Sequence, residues 1–225
     1  MTQPGMTRLE FDHGLRLVRE SLVTMTGTVT EAVQAATTAL LDQNLEAARA
    51  TASLEQELED GRMLIERHTM ELLAQQPVAS EQRTLVSAVK ISAECWRMGV
   101  LAHHIGMAAS HFYPAAAIPD ELSGIFRWIG DNASRIADDA RFMLLTSAAL
   151  DVTGEIEDTT DGLHRALFRA LLGNRSRGDE TATNVALLGR NYERFADHAV
   201  ALAQSVIFML TDTKPSIATP HVDFG

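Results

Sequence analysis

Three pairs of carboxylates, each four residues apart, are the residues whose spacing points most directly to chemistry. They are Glu193 and Asp197, Glu157 and Asp161, and Glu55 and Glu59. Residues four apart on a helix project from one face, where like charges destabilise the helix unless a cation offsets them. Carboxylate oxygens are ligands for hard cations such as Mg²⁺, Mn²⁺, Ca²⁺ and ferric iron. The pairs are compatible with a metal site, but on spacing alone the simpler interpretation, a solvated acidic face neutralised by Arg190 and Arg194, is favoured.

The later two pairs are the stronger candidates. Glu193 and Asp197 lie beside the apolar stripe of their helix, so we expect them at the rim of the helix interface. If the helices that carry the two pairs are neighbours, four carboxylates converge on one cation. The earlier pair has no such counterpart. The two halves can be aligned by matching Trp96-Arg97-Met98-Gly99 with Glu193-Arg194-Phe195-Ala196. In this alignment Trp96 and Val100 take the positions of Glu193 and Asp197. Because an indole and an isopropyl group fill space and exclude ions, we expect the first half not to bind by the same means.

Other reactive residue types are less promising. His104 and His111 are seven residues apart, about 10.5 Å along a helix and too far to share an ion, and His103 is expected to face elsewhere. The one Glu-x-x-His pair of the kind used by di-iron bundles, Glu10 to His13, lies at the extreme start of the chain. Cys95 is expected to be a buried apolar residue. The sequence also lacks nucleotide-binding glycine loops and a nucleophile elbow, so we predict that the protein is not an enzyme.

Composition excludes several classes of protein. Of 225 residues, 30 are acidic and 19 basic, giving a net charge of −11, with 46% hydrophobic residues and one cysteine. An acidic chain without a basic cluster is a poor nucleic-acid binder, and a single cysteine forms no internal disulfide. The stretch Met1 to His13 lacks a signal peptide's apolar centre, and the apolar cluster from Val206 to Leu210 is too short to cross a membrane. These features favour a cytoplasmic protein without direct membrane insertion.

The elements that must position the carboxylates are long helices. Apolar residues recur every three or four positions from Phe11 to Leu41 and again from Val185 to Met209, which is typical of packed helices. Four further helices are predicted between them: Asn44 to Leu73, Val78 to Ser110, Asp120 to Leu145 and Glu155 to Leu172. No alternating β-branched runs with hairpin turns indicate a sheet. The prediction is an all-α fold of six long antiparallel helices joined by short breaks.

The six helices divide into two sets of three around the segment with Pro114 and Pro119. We therefore expect two tandem three-helix bundles that arose by duplication. The predicted organisation is an N-terminal extension over residues 1–10, a first repeat over 11–113, a linker over 114–119, a second repeat over 120–212 and a flexible C-terminal tail over 213–225.

Two segments give a more specific indication. Gln75-Gln76-Pro77-Val78-Ala79-Ser80-Glu81-Gln82-Arg83 joins the second and third helices, and Tyr192-Glu193-Arg194-Phe195-Ala196-Asp197-His198-Ala199 lies in the sixth. Together they resemble the PhoU family of phosphate-signalling regulators over almost the whole chain. The resemblance implies a pair of three-helix bundles, often dimeric, with metal-binding Glu/Asp-x-x-x-Asp motifs. Carried onto this sequence, Glu193 with Asp197 and Glu157 with Asp161 match such motifs. Glu55 with Glu59 matches less well, and Trp96 and Val100 depart from the pattern.

The resemblance also implies a function. Members look like cytoplasmic adaptors that couple the ATPase subunit of a phosphate ABC transporter to a sensor histidine kinase and act as negative regulators of phosphate uptake and starvation signalling. On this reading the protein is a homodimer with a Mg, Mn, Zn or Fe ion in its second repeat. Two alternatives stay open: a metal-storage or metal-dependent hydrolytic helical bundle, and a purely structural helical dimer.

Overall fold

The computed structural model describes residues 6–148, 162 and 179–212, and these residues form five long helices. The helices are α1 (Arg8–Asp42), α2 (Leu45–Leu73), α3 (Ala79–Phe112), α4 (Asp120–Thr146) and α5 (Asp179–Thr211). No strand occurs in this described part of the chain, and the predicted all-α class is confirmed. The helix predicted over Glu155 to Leu172 lies outside the described residues, as does the predicted tail over 213–225.

Local side-chain hydrogen bonds set the helix boundaries. The first helix begins at Arg8, before the start of the apolar pattern at Phe11, because Thr7 and Glu10 form a capping box. The Thr7 backbone nitrogen donates to Glu10 Oε2 at 2.7 Å, and the Glu10 backbone nitrogen donates to Thr7 Oγ1 at 3.3 Å. At the next joint Gln43 adopts a left-handed conformation with φ of 52°, and the Asn44 side chain caps α2.

Four of the helices pack as a closed ring. Going round it, α1 contacts α3, α3 contacts α5, α5 contacts α4, and α4 contacts α1. The remaining helix, α2, packs on the outside of the ring against α1 and α3. One continuous apolar core fills the assembly, with side chains such as Leu22, Ile91, Phe126 and Phe195 fully buried. The described helices that carry candidate carboxylates, α2 and α5, are therefore held by packing against this core.

Hydrogen bonds and one close contact join α1 to α4 in addition to the apolar packing. Thr30 Oγ1 donates to Asp138 Oδ1 at 3.0 Å, and Gln34 Nε2 donates to Ser134 Oγ at 3.0 Å. Gly130 of α4 lies directly against Thr37, so that a β-carbon there would overlap the threonine side chain. These contacts fix the register between the two halves of the chain. The assignment of the halves to two tandem repeats stays a prediction.

Candidate carboxylate site and its first-half counterpart

Glu193 and Asp197 lie on one side of α5, beside its buried stripe. Their neighbours Tyr192, Phe195 and Ala196 are fully buried, whereas Glu193 is half-buried and Asp197 is exposed. The pair thus occupies the rim of the helix interface, as the sequence pattern predicts. At this position the two carboxylates are open to solvent on one side and held by a rigid helix on the other.

The other half of the predicted site, Glu157 and Asp161, lies outside the described residues. Whether it faces Glu193 and Asp197 therefore stays a prediction. Among the residues that the structure does describe, no group of three or more His, Cys, Asp and Glu side chains is arranged to hold a metal ion.

A contact that sequence reasoning missed joins the two halves next to this pair. His198 Nδ1 lies 2.7 Å from Glu94 Oε2 of α3, and Arg97 Nη1 lies 3.0 Å from Glu94 Oε1. Both Glu94 and His198 are mostly buried, with side chains 18% and 22% exposed. The contact spans 104 positions, and the internal comparison that aligned Trp96 with Glu193 gave no reason to pair Glu94 with His198.

In the first half, Glu59 is neutralised by the chain itself. Arg62 Nη2 lies 2.7 Å from Glu59 Oε1 and Arg62 Nε lies 2.8 Å from Glu59 Oε2, a two-pronged ion pair, and Arg62 also bonds Glu66. The Arg62 guanidinium carbon lies 5.2 Å from the centre of the Trp96 ring. The hydrogen bond to Arg62 lowers the pKa of Glu59, and the bond to Glu59 in turn raises the pKa of Arg62.

The partner of Glu55 is a histidine rather than an arginine. Glu55 Oε2 lies 3.9 Å from His103 Nε2, and the other ring nitrogen of His103 lies 3.2 Å from Thr51 Oγ1. Trp96 and Val100 are half-buried on the facing helix α3 and offer no ligand atoms for a hard cation. The first-half residues therefore do not fit a carboxylate metal centre. Glu59 is already paired with Arg62, and Trp96 and Val100, the facing residues on α3, are apolar.

The structure places the remaining candidate residues as follows. Cys95 is fully buried, and burial raises the pKa of its thiol, so it is the apolar core residue that was predicted. His103 turns toward α2, where its ring lies near Thr51 and Glu55, whereas His104 and His111 are exposed, yet all three line one groove of about 940 Å³. The groove is wide enough to take side chains from different faces of α3.

Comparison with known proteins identifies the same family as the sequence motifs. A model of the PhoU domain matches residues 22–109. The chain is 36% identical over 213 residues to a Mycobacterium leprae protein named phosphate-specific transport system accessory protein PhoU homolog 1, covering 92% of this chain and 96% of that protein. It is equally similar to PhoU homolog 2 of Mycobacterium tuberculosis, with 36% identity over 213 residues, 92% of this chain and 100% of the relative.

Solved structures agree on the fold. The crystal structure of PhoU from Pseudomonas aeruginosa matches with a TM-score of 0.81 and 23% identity, covering 90% of this chain and 100% of that one. The phosphate transport system regulatory protein PhoU from Streptococcus pneumoniae matches with a TM-score of 0.78 and 18% identity, covering 92% and 100%. At these identities the similarity establishes a shared helical architecture.

Proposed function

The chain belongs to the PhoU family, and we propose that it is an accessory protein of a phosphate-specific transport system that restrains phosphate uptake and the phosphate-starvation response. The observation that carries this proposal is the 36% identity to mycobacterial accessory proteins over 92% of the chain. Relatives matched over nearly their whole length are expected to share the helical scaffold on which an accessory protein presents its binding surfaces.

The proposed mode of action is contact with partners in the cytoplasm. The homodimeric protein would bind the ATPase subunit of a phosphate ABC transporter and a sensor histidine kinase, and would hold the kinase inactive while phosphate is plentiful. None of the described helices contains an apolar stretch long enough to cross a bilayer. A regulator of this kind needs two binding surfaces on a rigid scaffold, and it needs no catalytic residues. The extensive shared core provides such a scaffold.

Co-purification tests this role directly. The affinity-tagged full chain is expressed from its own locus in cells grown at high phosphate, and bound proteins are identified by mass spectrometry. We expect to recover the transporter ATPase subunit and the sensor kinase, and we expect deletion of the gene to switch on phosphate-starvation genes at high phosphate. Recovery of neither partner, together with unchanged expression of those genes in the deletion strain, would contradict the proposal.

We further propose that the second repeat holds one Mg, Mn, Zn or Fe ion through Glu157, Asp161, Glu193 and Asp197. The support is the placement of Glu193 and Asp197 at the edge of the buried face of α5. When bound, the ion would offset the charge of neighbouring carboxylates and hold two helices in a fixed geometry. The chain's own contribution is to hold the acids on packed helices.

Metal analysis of purified protein tests the site. The variant Glu193→Ala/Asp197→Ala should lose the bound ion, whereas Glu57→Ala/Asp60→Ala, which removes two exposed carboxylates from α2, should retain it. Unchanged metal content in the first variant would remove the site. Several ions per chain, or metal-dependent hydrolysis of a phosphate ester, would instead favour the storage or hydrolytic alternative.

A further inference from the structure

A groove lies between α2 and α5, which make no contact with each other in the described part of the chain, and α3 forms its floor. We call it the α2/α5 groove. Its volume is about 940 Å³, and its floor runs from His103 to Phe112. That length corresponds to roughly 14 Å of helix, at about 1.5 Å per residue, or between two and three turns.

The lining of the α2/α5 groove is basic although the protein is acidic. Arg49 stands on the α2 wall and Arg190 on the α5 wall, with His103, His104 and His111 along the floor. Among the described residues that line the groove none is a carboxylate, in a chain of net charge −11. Arg49 and Arg190 are both exposed, and neither forms an ion pair with a described residue. The groove therefore presents positive charge to any molecule that enters it.

Apolar side chains lie between these basic groups. Met107 on the floor is 52% exposed and Leu187 on the α5 wall is 58% exposed, while Leu188 is buried beneath them. The small residues Ala48, Ala52 and Ala108 line the same surface and allow a ligand to approach the helix backbones. Arginine and methionine are enriched at protein–protein interfaces. An apolar strip flanked by arginines is thus a surface suited to a ligand that is both apolar and acidic.

We propose that the α2/α5 groove is the docking site for an amphipathic helix of a partner protein, with Asp or Glu side chains on both sides of an apolar stripe. The stripe of a two- to three-turn helix, with anchors at i, i+3, i+4 and i+7, matches the length of the floor. Arginines on both walls match carboxylates on both sides of that stripe. The half-exposed Met107 and Leu187 argue against a small organic anion, which needs a more enclosing pocket. The inference rests on the proposed function, because it assigns the helix to the transporter ATPase subunit or the sensor kinase.

A synthetic peptide tests the chemistry of the groove. The probe is a fluorescein-labelled amphipathic helix with leucines at i, i+3, i+4 and i+7 and glutamates on both flanks. Its binding to the full chain is measured by fluorescence anisotropy at low salt. We expect saturable binding that weakens as salt is added, and at least about tenfold weaker binding when lysines replace the glutamates. Absence of binding by the glutamate peptide, or equal binding of both peptides, would overturn the proposal.

Matched variants locate the binding site. Arg49→Glu/Arg190→Glu reverses both walls of the groove, and we expect it to bind the glutamate peptide at least about tenfold more weakly. The control Arg16→Glu/Arg67→Glu makes the same charge change at exposed arginines outside the groove and should bind as the wild type does. Met107→Glu, a single exposed floor substitution, should weaken binding as well.

Equal affinity of the groove and control variants would overturn the proposal. So would groove-dependent binding of ATP without binding of the peptide, which would make the groove a site for organic anions.

Co-purification separates this inference from the proposed function. The groove variant should lose either the ATPase subunit or the kinase, whereas the Arg16→Glu/Arg67→Glu control should keep both. Retention of both partners by the groove variant would overturn the docking site and leave the proposed function intact. Failure of the wild type to recover either partner would count against the proposed function, and the peptide measurements would still decide whether the groove binds an acidic helix.

Discussion

Arg62 of α2 lies over the indole ring of Trp96 of α3, with its guanidinium carbon 5.2 Å from the ring centre, while its nitrogens bond Glu59. In the internal comparison Trp96 aligns with Glu193, the residue of the second half that is proposed to bind a metal. The two halves therefore treat their acidic pairs differently. In the first half the positive charge beside the acidic pair is the Arg62 side chain itself. The Trp96 ring packs against Arg62 at the position where the second half has Glu193.

Removing this arginine should destabilise the protein. Arg62→Ala abolishes the ion pairs with Glu59 and Glu66 and the contact with Trp96, and leaves both carboxylates without their cation. We expect a loss of about 1 to 2 kcal/mol in the free energy of unfolding, measured by urea denaturation. The control is Arg67→Ala, which removes an exposed arginine from the same helix. An equal effect of both substitutions would show that the Arg62 contacts contribute nothing.

The contribution of Glu59 should depend on pH. Its pKa is lowered in the folded protein by the bond to Arg62, so the folded state binds the proton more weakly than the unfolded state, whose pKa is about 4.3. The stability that Glu59 supplies is then fully present above that pKa and is lost as pH falls through the lower folded pKa. The difference in unfolding free energy between wild type and Glu59→Gln should be constant from about pH 7 to pH 5 and should shrink below about pH 4. The exposed control Glu57→Gln should show no such trend.

Restoring carboxylates should change the metal content of the first half. The variant Arg62→Ala/Trp96→Glu/Val100→Asp removes the internal cation and places two acids opposite Glu55 and Glu59. We expect one additional equivalent of Mn²⁺ in equilibrium dialysis relative to the wild type. The matched variant Arg62→Ala/Trp96→Ala/Val100→Ala opens the same space without adding ligands and should gain none. Equal Mn²⁺ binding by the two variants would show that more than the missing carboxylates prevents binding.

The helices were predictable from sequence because their determinants are local. The apolar period and the breaks at Asn44 and Pro119 gave boundaries within a few residues of those observed for α1 to α4. The apolar pattern that indicates α5 begins at Val185, whereas the helix itself begins at Asp179. A helix extends beyond its buried stripe wherever its first turns remain exposed or polar.

The candidate site was less predictable because its contacts are distant in sequence. Periodicity placed Glu193 and Asp197 at the rim of α5, since rim positions follow from the buried stripe alone. It gave no indication that Glu94 would reach His198, because that contact requires the relative placement of α3 and α5. The groove lined by His103, His104 and His111 was not predictable for the same reason: periodicity along α3 does not reveal where α2 and α5 lie around it.

The buried thiol of Cys95 should report on opening of the bundle. Because Cys95 is inaccessible and burial raises the pKa of its thiol, its reaction with Ellman's reagent requires the helices to separate. We expect labelling in native buffer to be at least about a hundredfold slower than in urea-unfolded protein. In the control Cys95→Ala/Ser53→Cys, which moves the thiol to an exposed position of α2, labelling should be fast in both conditions. Fast native labelling of Cys95 would contradict the packing described for α3.

The hydrogen bond between Tyr192 and Thr37 should stabilise the ring of four helices across its centre. α1 and α5 occupy opposite corners and their backbones do not approach each other closely, yet the buried Tyr192 hydroxyl lies 2.9 Å from Thr37 Oγ1, which itself donates to the Val33 carbonyl at 2.7 Å. The Tyr192 hydroxyl is protonated at neutral pH, as that of any tyrosine is, and burial raises its pKa further.

Tyr192→Phe removes the donor hydroxyl and keeps the ring, so we expect a loss of about 1 kcal/mol in the free energy of unfolding. The exposed control Tyr113→Phe should change it by less than about 0.5 kcal/mol. In a double-mutant cycle with Thr37→Val, the Tyr192 substitution should cost less than in the wild-type background, because its partner is already gone. Additive costs in the cycle would mean that the two hydroxyls do not interact, and that apolar packing alone joins the opposite corners of the ring.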